Sequence, residues 1–147
     1  MTLTADARPI VFDQLDELVG YQLRRAFLRS NQLFAEAAAQ AGLAPGQVGV
    51  LKLVLLNPGR SQSEIAAAAG LDRSTLTPML DQLGERGLIE RRPGPNRRTV
   101  SLHATEEGQA VWRALEPHIQ AHEREIRRNL TEAEGDLLLD LLKRLAA

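Results

Sequence analysis

The stretch SQSEIAAAAGLDRSTLTPMLDQLGERG, residues 61–87, decides the fold. Ser61 stands three residues before Glu64, the Ser-x-x-Glu form in which the serine accepts from one orphan amide of a helix start while the glutamate reaches back to another. A helix therefore begins at about Gln62, and with Gly70 reached within two turns it is short. Asp72 is placed to cap a second helix, because its carboxylate accepts readily from the free amides of a first turn, and Gly87 ends that helix. Two helices joined by a short turn containing glycine read as a helix-turn-helix.

The chain continues as LIERRPGPNRRTVSL, residues 88–102. Two short extended arms flank Pro93-Gly94-Pro95-Asn96, with Val100 and Leu102 alternating against polar neighbours, which reads as a β-hairpin. The formal net charge of the whole chain is only -1, yet between Gly84 and His103 the bases Arg86, Arg91, Arg92, Arg97 and Arg98 meet only Glu85 and Glu90. Arginines crowded in this way repel one another in water. The hairpin is therefore either a solvated loop whose arginines pair with Glu85 and Glu90, or a surface that meets an anion. The adjoining helix-turn-helix favours the second reading. It places a recognition helix in the major groove of DNA and lets the hairpin follow the backbone as a wing. The Pro-Gly-Pro turn then pushes Arg97 and Arg98 toward the negative potential of a narrow minor groove.

Around this middle, 147 residues at 44% hydrophobic supply the core of one ordinary domain. Aromatics make up only 3% while Leu and Ala are abundant, which suits helices. From Val11 to about Gln40, Phe12, Leu15, Val19, Leu23, Phe27 and Phe34 recur at helical steps and predict one long amphipathic helix stopped by Gly42. Pro45 opens a shorter helix through Val48, Leu51 and Leu55, closed by Asn57-Pro58-Gly59. After the hairpin, Thr105 to Gly108 starts a long helix through Val111, Leu115, Ile119 and Ile126, expected to kink at Pro117. Thr131 to Glu134 repeats the capping form, and Leu137, Leu138, Leu141, Leu142 and Leu145 make the last helix apolar on one side. The expected class is mostly α with a small β-hairpin wing: a winged helix-turn-helix core flanked by long helices.

Several function classes are excluded. The absence of cysteine removes disulfides, thiolate metal sites, thiol nucleophiles and cysteine redox sensing. There is no HExxH, P-loop or GxSxG, so neither an enzyme nor a cofactor is expected. The first residues have no basic region followed by an apolar run, and no window approaches bilayer length, so a cytoplasmic protein with no membrane partner is expected.

In the recognition helix, Arg73, Ser74, Thr75 and Thr77 cluster in the first turns, the end that enters the groove. Arg73 can read guanine or grip phosphate, and the hydroxyls can do either or can cap the helix. Ser63, at the start of the preceding helix, Pro78, and the wing residues Arg92, Asn96, Arg97 and Arg98 complete the expected DNA-contacting set. A winged-helix module that binds proteins in place of DNA is the rival reading.

The run from Ser61 to Gly108, with its "STLTPMLDQLGERGLIERR" register, arginine-tipped wing and Thr105–Gly108 signature, resembles the winged helix-turn-helix core of the MarR family of bacterial regulators. The "LTP" at 76–78 is most similar to the branch that includes organic-hydroperoxide sensors, but those need a cysteine that this chain lacks, so peroxide sensing is ruled out. Members usually carry an aspartate before the paired wing arginines, where this chain has Asn96, so an amide hydrogen bond is expected in place of an Asp-Arg brace. The resemblance implies that residues 1–42 and 109–147 interlock with a second copy as dimerisation helices. Residues 43–108 would then form the DNA-binding part of one intertwined unit. A two-fold dimer presents two recognition helices to a pseudo-palindromic operator. The resemblance further implies a repressor released by a small anion bound between the two parts.

Tyr21, Arg24, Arg25 and Arg29 sit one turn apart on the first helix and suit an aromatic carboxylate or an acyl-coenzyme A thioester. Trp112 is a further candidate for that pocket or a core residue. His118 and His122, one turn apart, form a possible metal pair, as in zinc-responsive relatives. Zinc would need Glu36 or Glu123 as well, and packing or interhelical hydrogen bonding is the preferred reading.

Overall fold

A computed structural model describes residues 9–96 and 98–147. The order is a 3-10 turn (Asp13–Glu17), α1 (Val19–Gln40), α2 (Pro45–Leu56), α3 (Gln62–Ala69), α4 (Arg73–Glu85), β1 (Ile89–Pro93), β2 (Val100–Ala104), α5 (Glu106–Ile126) and α6 (Glu132–Ala146). The local signals explain most of these boundaries. Ser61 Oγ accepts from the Glu64 amide while the Glu64 carboxylate takes the Ser61 amide at 2.8 Å. Asp72 accepts from the Thr75 amide at 2.8 Å, and Thr131 with Glu134 closes the same reciprocal box ahead of α6.

The single helix expected from Val11 to Gln40 is two pieces. Leu18 is extended, and the 3-10 turn before it folds back along α1. Asp16 causes this: its backbone carbonyl and its carboxylate both accept from Gln22 Nε2 at 2.8 Å, and the carboxylate lies 3.6 Å from Arg25. α5, in contrast, runs on through Pro117 as one helix. The ring deletes one hydrogen bond, to the Arg113 carbonyl, and both residues are exposed, so water can satisfy that carbonyl.

The core lies in the middle of the molecule. Val48, Val50, Leu51 and Val54 of α2, Ile65 of α3, Leu76, Leu80 and Leu83 of α4, and Leu88, Ile89 and Leu102 around the hairpin form one buried cluster. Phe34 and Ala38 of α1 and Leu115 of α5 close it from the flanks. β1 and β2 are antiparallel, with Ile89 opposite Ala104 and Arg91 opposite Leu102. A further bridge pairs Arg60 with Leu102: the Leu102 amide donates to the Arg60 carbonyl and the Leu102 carbonyl accepts from the Gly59 amide, both at 2.8 Å, so that Leu102 is flanked on both sides.

The hairpin joins α5 at a close approach. Thr105 Oγ1 donates to the Gly87 carbonyl at 2.6 Å and accepts from the Gly108 amide at 3.1 Å. A β-carbon on Gly108 would stand 2.1 Å from the Leu88 carbonyl oxygen. The glycine three residues after the threonine is therefore dictated by backbone packing.

The ends differ. Gly135 is the one buried residue of α6, while Leu137, Leu138, Leu139, Leu141, Leu142 and Leu145 are exposed. So are Phe12, Leu15, Leu18, Val19, Leu23 and Phe27. α6 faces α1 across an apolar groove of about 410 Å³, lined by residues that include Leu23, Phe27, Ile126, Leu138 and Leu142.

Candidate nucleic-acid interface

The N-terminal turns of α4 are set by Asp72. Its carboxylate accepts from Ser74 Oγ at 2.7 Å as well as from the Thr75 amide. The Ser74 hydroxyl first, and then the Thr75 amide, hold that carboxyl below the usual carboxylate range. Glu64 is lowered likewise, chiefly by the Ser61 amide and next by the Arg60 side chain, whose guanidinium is 2.9 Å away. Arg73, Ser74, Thr75 and Pro78 are exposed in this region, and Ser63 is exposed in the first turn of α3. Thr77 differs: it is half-buried and accepts from Gln62 Nε2 at 3.2 Å, so it ties α3 to α4. Pro78 removes the amide that would bond the Ser74 carbonyl, freeing an acceptor on the exposed side.

Electrostatics on the wing are more divided than the arginine count implies. Arg91 is drawn to Asp81 of α4 at 2.7 Å, which pins β1 to the recognition helix. Arg92 pairs with Glu90, as the solvated-loop reading has it. Arg86 turns the other way and donates to the Gly42 carbonyl at 2.9 Å. Asn96 Oδ1 accepts from the Arg98 amide and from Thr99 Oγ1, both at 3.1 Å, so the amide braces the loop from within, in the manner of an Asx turn. Arg98 is exposed beside it, and Arg97 lies outside the described residues.

Asp81 was not singled out by the sequence reading. It follows Arg73 and Thr77 at four-residue steps, and this row on one helix face was the available signal.

The candidate effector residues fall into two places. Tyr21 lies 6.5 Å from Phe12 between ring centroids, with the Arg25 guanidinium 6.0 Å from the Tyr21 ring and 5.7 Å from Phe12. Arg24 and Arg29 are exposed on the same helix. Trp112 sits elsewhere, at the junction of α5 with α2, where Lys52 Nζ stands 4.2 Å above its ring. His122 Nε2 is 3.1 Å from both Ser30 Oγ and the Ser30 carbonyl, and its ring meets Phe34 edge-on at 5.3 Å. It thus makes the interhelical bond of the preferred reading. His118 lines a cleft with Glu36 and Glu125, and no group of three or more His, Asp or Glu among the described residues is arranged to hold a metal ion.

An arginine-bearing hairpin clamped to a capped helix with an exposed Arg-Ser-Thr turn can straddle a nucleic-acid backbone, and the relatives of the chain bear on that directly. The model of the MarR family matches residues 43–100. A Thauera aromatica protein assigned to regulation of the hcr operon is 34% identical over 143 residues, spanning 96% of this chain and 86% of that protein. The transcriptional repressor CouR, solved on a 23-mer DNA duplex, is 37% identical with a TM-score of 0.86, over 95% of this chain and 100% of that one. CouR has also been solved with p-coumaroyl-CoA, at a TM-score of 0.83 and over 94% of this chain and 98% of that one. The PcaV regulator of Streptomyces coelicolor, solved with its natural ligand, is 26% identical at a TM-score of 0.81, covering 95% of this chain and 96% of that one. With a relative this similar over nearly its whole length and the same winged fold, the chain belongs to the MarR family of transcriptional regulators.

Proposed function

We propose that this regulator is a cytoplasmic homodimeric repressor that binds an inverted-repeat operator and is released by a small anionic effector, an aromatic acid or an acyl-coenzyme A thioester. The observation that carries the DNA reading is the exposed turn Arg73-Ser74-Thr75 beside a hairpin fixed to the same helix by Arg91 and Asp81 at 2.7 Å. Arg73 with its hydroxyl neighbours enters the major groove, and Arg97 or Arg98 reaches the adjacent minor groove. Thr77 acts by holding α3 against α4. Ser63, Arg92 and Asn96 flank or shape the contact.

The dimer is supported by the exposed leucines of α6 and the apolar start of α1, more apolar surface than a lone chain of this size leaves to water. In this reading residues 1–42, of which 1–8 lie outside the described residues, and 109–147 form that interface, and residues 43–108 the reading head. The effector reading draws on Tyr21, Arg24, Arg25 and Arg29 on α1, and on kinship with CouR, whose structure holds p-coumaroyl-CoA. Trp112, which packs where α5 meets α2, is read as a further candidate contact for it. Effector lowers operator affinity only by as much as it prefers the dimer geometry that does not fit DNA.

The test is a fluorescence-anisotropy titration of the full chain against duplex from its own upstream intergenic region and a scrambled duplex, at two salt concentrations. Tight, salt-sensitive binding that prefers the native duplex, reversed by p-coumaroyl-CoA or by p-coumaric acid, is expected. Equal weak binding to both duplexes would discard the operator reading, and binding that neither compound reverses would discard the effector class.

A further inference from the structure

Met79 and Gln82 of α4 and Arg86, which caps its C-terminus, follow one another at three- and four-residue steps, so they form one stripe. All three reach the same short stretch of chain, the corner between α1 and α2. The Met79 methyl packs so closely over Gly46 that a β-carbon there would stand 3.0 Å from it. Gln82 Oε1 accepts from Nε2 of buried Gln47, whose own Oε1 takes the Ala44 amide at 2.8 Å. Arg86 Nη1 donates to the Gly42 carbonyl at 2.9 Å, and its guanidinium occupies the space of a Gly42 β-carbon, which would lie 2.9 Å from Nη1. Gly42 also has φ of +70°, so the residue that ends α1 is fixed both by its backbone and by the arginine laid against it.

The corner itself is firm. The Leu43 amide returns to the Ala38 carbonyl at 2.9 Å, and Leu43 is buried. α4 is otherwise held by Leu76, Leu80 and Leu83 in the core, a cluster that Phe34 and Ala38 of α1 also join, and by Asp81 on the wing. Within the stripe, Met79 and Gln82 meet the first turn of α2, and Arg86 alone reaches the end of α1, at the Gly42 carbonyl.

We propose that Met79, Gln82 and Arg86 are positioning residues: Met79 and Gln82 seat the recognition helix on the first turn of α2, so that the bond from Arg86 to Gly42 fixes its angle against the end of α1 and sets the half-site spacing the dimer accepts. This rests on the dimeric DNA-binding reading above. In a two-fold dimer the recognition helices stand one DNA turn apart, roughly 34–36 Å, and a tilt at each seat acts on both half-sites. Loosening the seat broadens the range of accepted spacings without removing a phosphate contact.

The experiment uses the full-length protein, a duplex selected from a randomised pool, and the same duplex with one base pair inserted at its dyad. Anisotropy is read at three salt concentrations for the wild type, Arg86→Leu, Arg86→Lys and Gly46→Ala. Gly46→Ala adds one methyl against Met79, at a helical position that tolerates alanine. The wild type is expected to prefer the uninserted duplex by about tenfold or more, the scale of one mismatched base pair. Arg86→Leu and Gly46→Ala should cut that preference at least threefold with the salt slope unchanged, and Arg86→Lys, which keeps a donor, should restore most of it. Equal loss on both duplexes with a salt slope reduced by about one would make Arg86 a phosphate contact and overturn the proposal. A lowered melting temperature with the preference intact would reduce the seat to a fold contact and overturn it too. A pool that enriches no sequence would instead remove the DNA-binding reading, and this proposal with it.

Discussion

The winged middle and the α6 end of this chain are both leucine-rich, yet they use leucine oppositely. Leu51, Leu76, Leu80, Leu83, Leu88 and Leu102 are fully buried in one cluster, whereas the six leucines of α6 from Leu137 to Leu145 are each at least 37% exposed. The first set completes a core from within one chain. The second leaves an apolar face exposed, the face assigned above to the proposed dimer contact, so the middle reads as a folding unit and the ends as the proposed association unit.

The comparison breaks most visibly if the ends are charged. Leu138→Glu with Leu142→Glu should yield a monomer by light scattering and reduce operator affinity about 10³-fold, toward non-specific binding, as two half-sites become one. A dimer that survives both charges removes α6 from the interface. The middle is attacked at its close approach to α5. Gly108→Ala sets a β-carbon against the Leu88 carbonyl and should cost about 3 kcal/mol in urea unfolding, with subunit number unchanged at high protein concentration. Unaltered stability would mean that the Leu88 backbone yields freely.

Smaller effects sharpen the wing. Arg97→Ala with Arg98→Ala should weaken operator binding and flatten the dependence of log affinity on log salt by about one to two. An unchanged slope would take the hairpin tip off the DNA.

The smallest effect is acid sensitivity of the two helix starts. Asp72 and Glu64 have carboxyls held below the usual range, so the unfolded chain binds protons first and their contribution is complete above the ordinary carboxylate pKa. It is lost as pH falls through the lowered folded values, below the ordinary carboxylate range. Asp72→Asn with Glu64→Gln should therefore show a shallower fall in urea midpoint between about pH 5 and pH 3 than the wild type; parallel curves would mean these caps carry no linkage.

Features built from neighbours along the chain could be read before any coordinates. The Ser61–Glu64 and Thr131–Glu134 boxes and the Asp72 cap involve partners three residues apart, and each fell where its residues indicated. Features built across the chain could not. Leu15 and Val19 read as consecutive apolar steps of one helix; only the fold-back of Asp16 onto Gln22 and Arg25 shows why the helix begins after Leu18. Arg60 pairs with Leu102 through a single bridge, too short to leave an alternating pattern. In the wing, the arginine cluster was legible but its internal sorting was not, because Arg91 chooses Asp81 and Arg86 chooses a carbonyl at Gly42, neither its neighbour in sequence. Tyr21 and Arg25 share a helix face, as their spacing requires, whereas Trp112 belongs to another junction that spacing alone could not assign.

Trp112 gives the molecule an intrinsic optical gauge. It is the single tryptophan of the chain, held where α5 crosses α2 with the Lys52 ammonium 4.2 Å above its ring. A positive charge so near an indole shifts its emission. Any movement of α5 against α2 would change that separation, so the emission of this one residue is expected to report it in unlabelled protein.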